Sequence, residues 1–182
     1  MALLYFLRTA EMGSANALIP RQEKRAFALG VRRFSTTAFH SACVDREDIL
    51  GPGKTVIEIL RGAGCPVPPI SYVPFSVRKS WLALYREWCK RDPCRAWADP
   101  LCLKAWSALV FMCESVRVRD VMNSVTVGLD AHAHVLCVVH PFFLELLATT
   151  LTDKRVDPMP PLGGFLVRAG QKRVDSFDWL TG

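Results

Sequence analysis

The sequence predicts a mainly α-helical domain, and three observations support that prediction. Between residues 79 and 92, large aromatic side chains recur at helical spacing with basic residues on the opposite face. Asp99-Pro100 is a helix start, because aspartate caps free amides and proline suits the first helical position. A third helix is expected over about 141–152, before a proline cluster that cannot continue it.

The expected core is an antiparallel helical hairpin of residues 79–92 and 100–120, because the loop between them is short. With 182 residues, 51% of them hydrophobic, the chain suits one globular domain. We divide it into a targeting segment (1–41), an extended or irregular segment with one short helix (42–78), the helical core (79–155) and an extended, proline-containing tail (156–182).

The first 41 residues carry most of the positive charge. They hold six basic and two acidic residues, a net charge of +4, whereas the other 141 residues hold 17 basic and 15 acidic residues. An Arg-rich, acid-poor amphipathic segment resembles a mitochondrial presequence. We therefore predict that residues 1–34 are an import signal and that the protein is mitochondrial, on the matrix side or associated with the inner membrane. The alternative is a basic amphipathic helix that belongs to the fold.

The stretch GPGKT, at residues 51–55, ends like a phosphate-binding loop. Such a loop needs a glycine where this chain has Asp48, and Pro52 removes one amide donor. We interpret the stretch as a turn before a short amphipathic helix. The inward positions of that helix are Val56, Ile57 and Leu60.

The longest apolar run, residues 135–151, is interrupted by His140, Pro141 and Glu145. It falls short of the roughly 20 apolar residues that span a bilayer, so we interpret it as a buried helix.

Four side chains of the metal-binding type lie within nine residues, and they are His132, His134, Cys137 and His140. Imidazole and thiolate are zinc ligands. On a strand, however, Cys137 points away from the histidines, and on a helix His134 and His140 lie about 240° apart. We therefore predict no metal, no cofactor and no catalytic residue, and retain these four as metal candidates only.

The seven cysteines form no paired zinc pattern, so reduced thiols are expected. The alternative is a helical hairpin crosslinked by a disulfide between Cys89 and Cys102.

The residues expected to contact other proteins are aromatic, because such side chains anchor interfaces. They are Trp81, Trp88, Trp97, Phe177 and Trp179. The last two lie in the C-terminal tail, which either docks on a partner or folds back onto its own helices.

Beyond residue 41 the chain is almost neutral, and this argues against rRNA binding, which depends on neutralising phosphates. We therefore predict a non-catalytic accessory subunit of a mitochondrial inner-membrane energy complex, either ATP synthase or a respiratory-chain complex. Its partners would be other subunits and adjacent membrane lipid. The alternatives are a mitochondrial ribosomal protein that contacts rRNA, and a small matrix enzyme or metal-binding factor.

Overall fold

The computed structural model describes residues 1–13, 17–44, 50–72, 122, 125, 129–152, 156, 159–170 and 173–180. The strands in these ranges are β1 (Ala2–Arg8), β2 (Ser41–Val44), β3 (Ile70–Tyr72), β4 (His134–Val139), β5 (Gly164–Gly170) and β6 (Arg173–Leu180). The helices are α1 (Pro20–Leu29), which continues as the π-helical segment Gly30–Phe34, α2 (Leu50–Ala63) and α3 (Pro141–Thr152).

The six strands form one mixed sheet in the order β3-β2-β4-β1-β5-β6. Strands β1 to β4 are mutually parallel, β5 is antiparallel to β1, and β6 is antiparallel to β5. The two central strands, β1 and β4, therefore each have a hydrogen-bonded neighbouring strand on both sides.

Helices cover both faces of this sheet, and the sequence of β1 reflects it. Leu4 and Phe6 belong to the core cluster on the α3 face. Tyr5 and Leu7 belong to the cluster on the face of α1 and α2. Parallel strands that are buried on both faces are continuous apolar runs rather than alternating ones. The architecture is a three-layer α/β/α sandwich.

The prediction of a mainly α domain is wrong, because this six-stranded sheet is the centre of the fold. Residues 2–8 and 134–139 are strands, although the first run was interpreted as the start of a presequence and the second as part of a helix. A short apolar run does not distinguish a buried strand from a buried helix. The helix expected over about 141–152 is present as α3. The hairpin expected at 79–92 and 100–120 lies outside the described residues.

The short helix expected in residues 42–78 is α2, which begins at Leu50. The interpretation of GPGKT as a turn before this helix is wrong, because these residues form its first turns. Val56 and Leu60 are buried as expected, whereas Ile57 is exposed and Ile59 takes the inward position.

The C-terminal segment is extended, as expected, and it folds back onto its own chain, where it forms β5 and β6 of the sheet and does not simply pack on helices. Phe165 and Val167 of β5 are fully buried in the cluster on the α3 face.

The basic segment of residues 1–34 forms β1, α1 and the π-helical segment. Ala26 and Phe34 are buried in the cluster on the α1 and α2 face. Mitochondrial localisation stays a prediction. Within the described ranges, no helix has the length and apolarity needed to cross a membrane.

Candidate functional site

The connections of the chain diverge at the carboxyl ends of β1 and β4. From β1 the chain leads through α1 to β2 on one side, whereas from β4 it leads through α3 to β5 on the other side. In open α/β sheets such a switch point leaves a crevice outside the two strand ends, and ligands bind there. The crevice between the ends of β1 and β4 is therefore the candidate site.

Thr9 and His140 lie next to each other at this crevice. The register pairs Arg8 with Val139, so the two residues that follow are neighbours. The Thr9 amide donates to the Val139 carbonyl oxygen at 3.1 Å. Both Thr9 and His140 are partly buried, so neither is simply a solvated surface side chain.

Thr55 ties the first turns of α2 to the end of β1. Its hydroxyl donates to the Gly51 carbonyl oxygen at 2.8 Å and accepts from the Ala10 amide at 3.2 Å. The Thr9 and Thr55 hydroxyl oxygens are 3.4 Å apart. Because the one hydroxyl hydrogen of Thr55 is donated to Gly51, Thr55 can only accept a hydrogen bond from Thr9.

The electrostatics of this edge favour an anion. Helices α2 and α3 follow the carboxyl ends of parallel strands, so their N-termini lie at this edge. Helix N-termini carry partial positive charge and free amides, which together bind phosphate. Arg8, the last residue of β1, adds a guanidinium that donates to the Met159 carbonyl oxygen.

A glutamine and a glutamate connect α1 to the same edge. Gln22 Nε2 donates to Glu11 Oε2 at 3.1 Å, and the Ile19 amide donates to the Glu11 carbonyl oxygen at 3.1 Å. These bonds place the start of α1 beside the residues that follow β1.

The chemistry available at the crevice differs between its two central side chains. The partners of the Thr9 hydroxyl are the Ala10 carbonyl oxygen at 3.3 Å and Thr55 Oγ1 at 3.4 Å. Neither is a base that would activate a hydroxyl nucleophile. His140 carries an imidazole, which exchanges a proton near neutral pH. Its carbonyl oxygen accepts from the Leu144 amide at 3.1 Å, which holds the residue at the start of α3.

The four metal candidates lie apart along β4. His134 begins the strand and Cys137 lies in its middle, buried in the cluster on the α3 face. His140 follows the other end of the strand, about 20 Å from His134. Exposed His132 precedes the strand. Within the residues that the structure describes, no group of three or more His, Cys, Asp or Glu side chains could hold a metal ion.

His134 instead belongs to an aromatic cluster at the opposite edge. Its Nδ1 lies 3.1 Å from the Tyr5 hydroxyl, and its amide donates to His40 Nδ1 at 3.2 Å. Burial, and secondarily the charge of His40, lower the pKa of His134. Burial raises the pKa of Tyr5.

Of the aromatic residues expected to contact other proteins, Trp81, Trp88 and Trp97 lie outside the described residues. Phe177 and Trp179 lie in β6. Trp179 is 50% exposed, and its ring packs edge-on against Phe165, with 6.1 Å between the ring centroids. Contacts with other subunits, with lipid or with rRNA stay predictions.

Reasoning from the sequence missed Arg8, Thr9 and Thr55. The available signal is position: Arg8 and Thr9 come at the end of the apolar run LLYFL, and polar residues there mark the ligand-binding edge of a parallel sheet. That signal becomes readable only when the run is recognised as a strand. His140 was predicted only as a candidate metal ligand, and the other three candidate ligands lie away from the crevice.

Known structures share this fold over nearly the whole chain. A phosphoglycerate mutase from Bacillus anthracis matches with a TM-score of 0.68 at 14% identity, covering 98% of this chain and 92% of the mutase. A putative α-ribazole-5′-P phosphatase from Escherichia coli matches with a TM-score of 0.61 at 16% identity, covering 100% and 96%. A mycobacterial glucosyl-3-phosphoglycerate phosphatase matches with a TM-score of 0.55 at 12% identity, covering 98% and 95%. No protein-family model and no curated protein sequence matches the chain.

These similarities overturn the expectation of a non-catalytic accessory subunit of ATP synthase or the respiratory chain. The chain shares its fold with a phosphoglycerate mutase and with proteins named as phosphatases. Its polar crevice lies at a switch point, where open α/β sheets in general bind ligands. The same similarities contradict the prediction that the protein is not an enzyme, because the proteins that share its fold are named as enzymes.

Proposed function

We propose that this protein is an enzyme that acts on a phosphate monoester, bound at the crevice between the ends of β1 and β4. The observation that carries the proposal is the position of His140 and Thr9 at the switch point of a phosphoglycerate mutase-like fold. Phosphoglycerate and α-ribazole-5′-P, named for two of the similar enzymes, set the class of ester to test first.

Binding would rest on groups that are fixed before the ester arrives. The amides at the N-termini of α2 and α3 and the Arg8 guanidinium supply donors and positive charge for a phosphate group. The Thr55 bonds to Gly51 and Ala10 hold α2 in place, so little reorganisation accompanies binding.

Proton transfer would be the role of His140. Water attacks the phosphorus as the P–O bond to the ester oxygen breaks, so that inorganic phosphate is released, and the protonated imidazole of His140 donates its proton to the leaving ester oxygen. Thr9 does not take the part of nucleophile in this scheme, because no base activates its hydroxyl among the described residues. The one hydrogen of its hydroxyl is directed at the Ala10 carbonyl oxygen or at Thr55 Oγ1, so toward the ester the hydroxyl can only accept a hydrogen bond.

The test is a phosphate-release assay of the purified full-length protein. Phosphoglycerate, phosphoserine, α-ribazole-5′-P and p-nitrophenyl phosphate are the substrates. His140→Asn should lower kcat/KM by about 100-fold or more, which is the lower end of general acid catalysis. The matched control is His132→Asn, an exposed histidine before the other end of β4, and it should leave kcat/KM unchanged.

Two results would contradict the proposal. One is the absence of phosphate release or transfer from every ester. The other is a His140→Asn protein that keeps the wild-type kcat/KM.

A further inference from the structure

The basic residues of the N-terminal segment lie along one side of a groove. The groove has a volume of about 970 Å³ and runs between α1 with its π-helical extension and the segment of residues 159–164. Its cationic side chains are all exposed, and they are Arg21, Lys24, Arg25, Arg32 and Arg33. Five of the six basic residues among the first 41 therefore face one concave surface.

No carboxylate lies among the described residues that line this groove. Glu23 of α1 lies 3.8 Å from the Arg61 guanidinium on α2, and Asp178 of β6 lies 3.6 Å from Arg168 on β5. A concave surface with charges of one sign concentrates the field and attracts the opposite charge. The groove therefore favours an anionic occupant.

The opposite wall has a different chemistry. Its side chains are those of Met159, Pro160, Pro161 and Leu162, together with Trp179 and Leu180 at the end of β6. An occupant must place apolar groups on this wall and negative groups on the wall of α1. Inorganic polyphosphate has no apolar side to offer.

The length of the cationic wall limits the occupant further. Arg21 and Arg33 are twelve residues apart, which in a helix corresponds to about 18 Å. An extended peptide rises about 3.3 Å per residue, so about five residues match this length. Side chains of an extended peptide alternate between two sides, and the two walls require this alternation.

We propose that the groove binds an extended segment of a partner protein in which acidic and apolar side chains alternate. The acidic side chains pair with the cations of α1 and the π-helical segment, and the apolar side chains contact the wall of residues 159–162. Single-stranded nucleic acid fits less well, because its recognition uses aromatic stacking platforms. Among the described residues that line the groove, Trp179 is the only aromatic one, so successive bases would not find several rings to stack on.

The test uses fluorescence anisotropy with the full-length protein and a labelled peptide of about eight residues that alternates glutamate and leucine. The double variant Arg25→Gln/Arg32→Gln should raise Kd about tenfold. The matched control Arg61→Gln/Arg168→Gln removes two cations from outside the groove and should change Kd by less than about twofold. The difference in Kd between the groove variant and the wild-type protein should become smaller at higher ionic strength, because salt screens the charges.

Further probes separate the two walls and the two classes of partner. A peptide that alternates glutamate and serine should bind about tenfold more weakly than the glutamate and leucine peptide, because it offers no apolar side chains. Equal binding of the two peptides would overturn the proposal, as would equal binding by the groove variant and the control variant. Tighter binding of a single-stranded oligonucleotide than of the peptide would assign the groove to nucleic acid and overturn it as well.

Discussion

At the scale of single residues, Thr55 shows how one hydroxyl organises the candidate site. It is fully buried, donates to the Gly51 carbonyl oxygen and accepts from the Ala10 amide. Ala10 is itself buried, so its amide has no ready access to water. Loss of the hydroxyl therefore leaves a buried donor without its partner.

We expect Thr55→Val to lower the free energy of unfolding by about 1–3 kcal/mol, the penalty for an unsatisfied buried polar group. Urea denaturation measures the effect as a lower midpoint with an unchanged slope. Thr36→Val, at an exposed position, is the control and should change stability by less than about 0.5 kcal/mol. Equal midpoints for the two variants would show that water replaces the hydroxyl at Ala10.

Two thiols form a second pair of interacting residues. Cys43 of β2 and Cys137 of β4 are paired in register, and both lie on the α3 face. The hydrogen bond from Cys137 lowers the pKa of Cys43 to about 7; burial opposes the shift and a hydrogen bond with Ser71 adds to it. The same hydrogen bond raises the pKa of Cys137 well above its usual range, and burial raises it further.

We expect Cys43 to react with iodoacetamide in its thiolate form, so that its rate of modification rises with pH through a midpoint near 7. Cys137→Ala removes the donor and should move this midpoint upward, and Ser71→Ala should move it upward by less. Peptide mass spectrometry reads Cys43 separately from the other cysteines. A midpoint that stays in place in Cys137→Ala would show that Cys137 does not stabilise the thiolate.

At the scale of elements, two glycines let α1 and α2 approach each other closely. A Cβ atom at Gly62 of α2 would lie 2.0 Å from the Phe27 carbonyl oxygen. A Cβ atom at Gly30, where the π-helical segment begins, would lie 2.0 Å from the Ile59 carbonyl oxygen. Because both obstacles are backbone atoms, a side chain at either position must separate the helices.

Gly62→Ala should therefore destabilise the protein by about 1–3 kcal/mol or more, the range for overpacking. Gly53 lies in the same helix with open space around its Cβ position. Gly53→Ala should stabilise the protein by up to about 1 kcal/mol, because alanine is the better helix former. Thermal unfolding of both variants measures the contrast, and a shift of the same sign in both would contradict the close packing.

Some of the helices and strands could be predicted from the sequence, and others could not. The start of α3 at Pro141 and the presence of a short helix near GPGKT were predictable, because their signals are local, although that helix begins at Leu50 and includes GPG. β1 and β4 were not, because Leu4 and Tyr5 are buried on opposite faces and the alternation that identifies a strand disappears. The candidate site could not be predicted either, because Thr9 and His140 become neighbours only through the pairing of these two strands.

At the scale of the whole molecule, the two interpretations of the N-terminal segment differ in whether residues 1–34 remain in the functional protein. As a presequence it would be removed after import. As part of the fold it supplies β1, which pairs with β4 on one side and β5 on the other. Six positions of β1 pair with each neighbour, so its loss would open the centre of the sheet.

We therefore expect a protein that begins at Ser35 to be unable to fold, because it lacks both the central strand and α1. Circular dichroism and urea denaturation should show no cooperative transition for it, whereas the full-length chain should unfold cooperatively.

If the protein enters mitochondria, as its basic N-terminus suggests, it should keep residues 1–34 there. N-terminal peptide sequencing of the protein recovered from that compartment checks this. A mature form that starts near Ser35 and still unfolds cooperatively would mean that the sheet closes without β1, and the site at the end of that strand would then have no place in the functional protein.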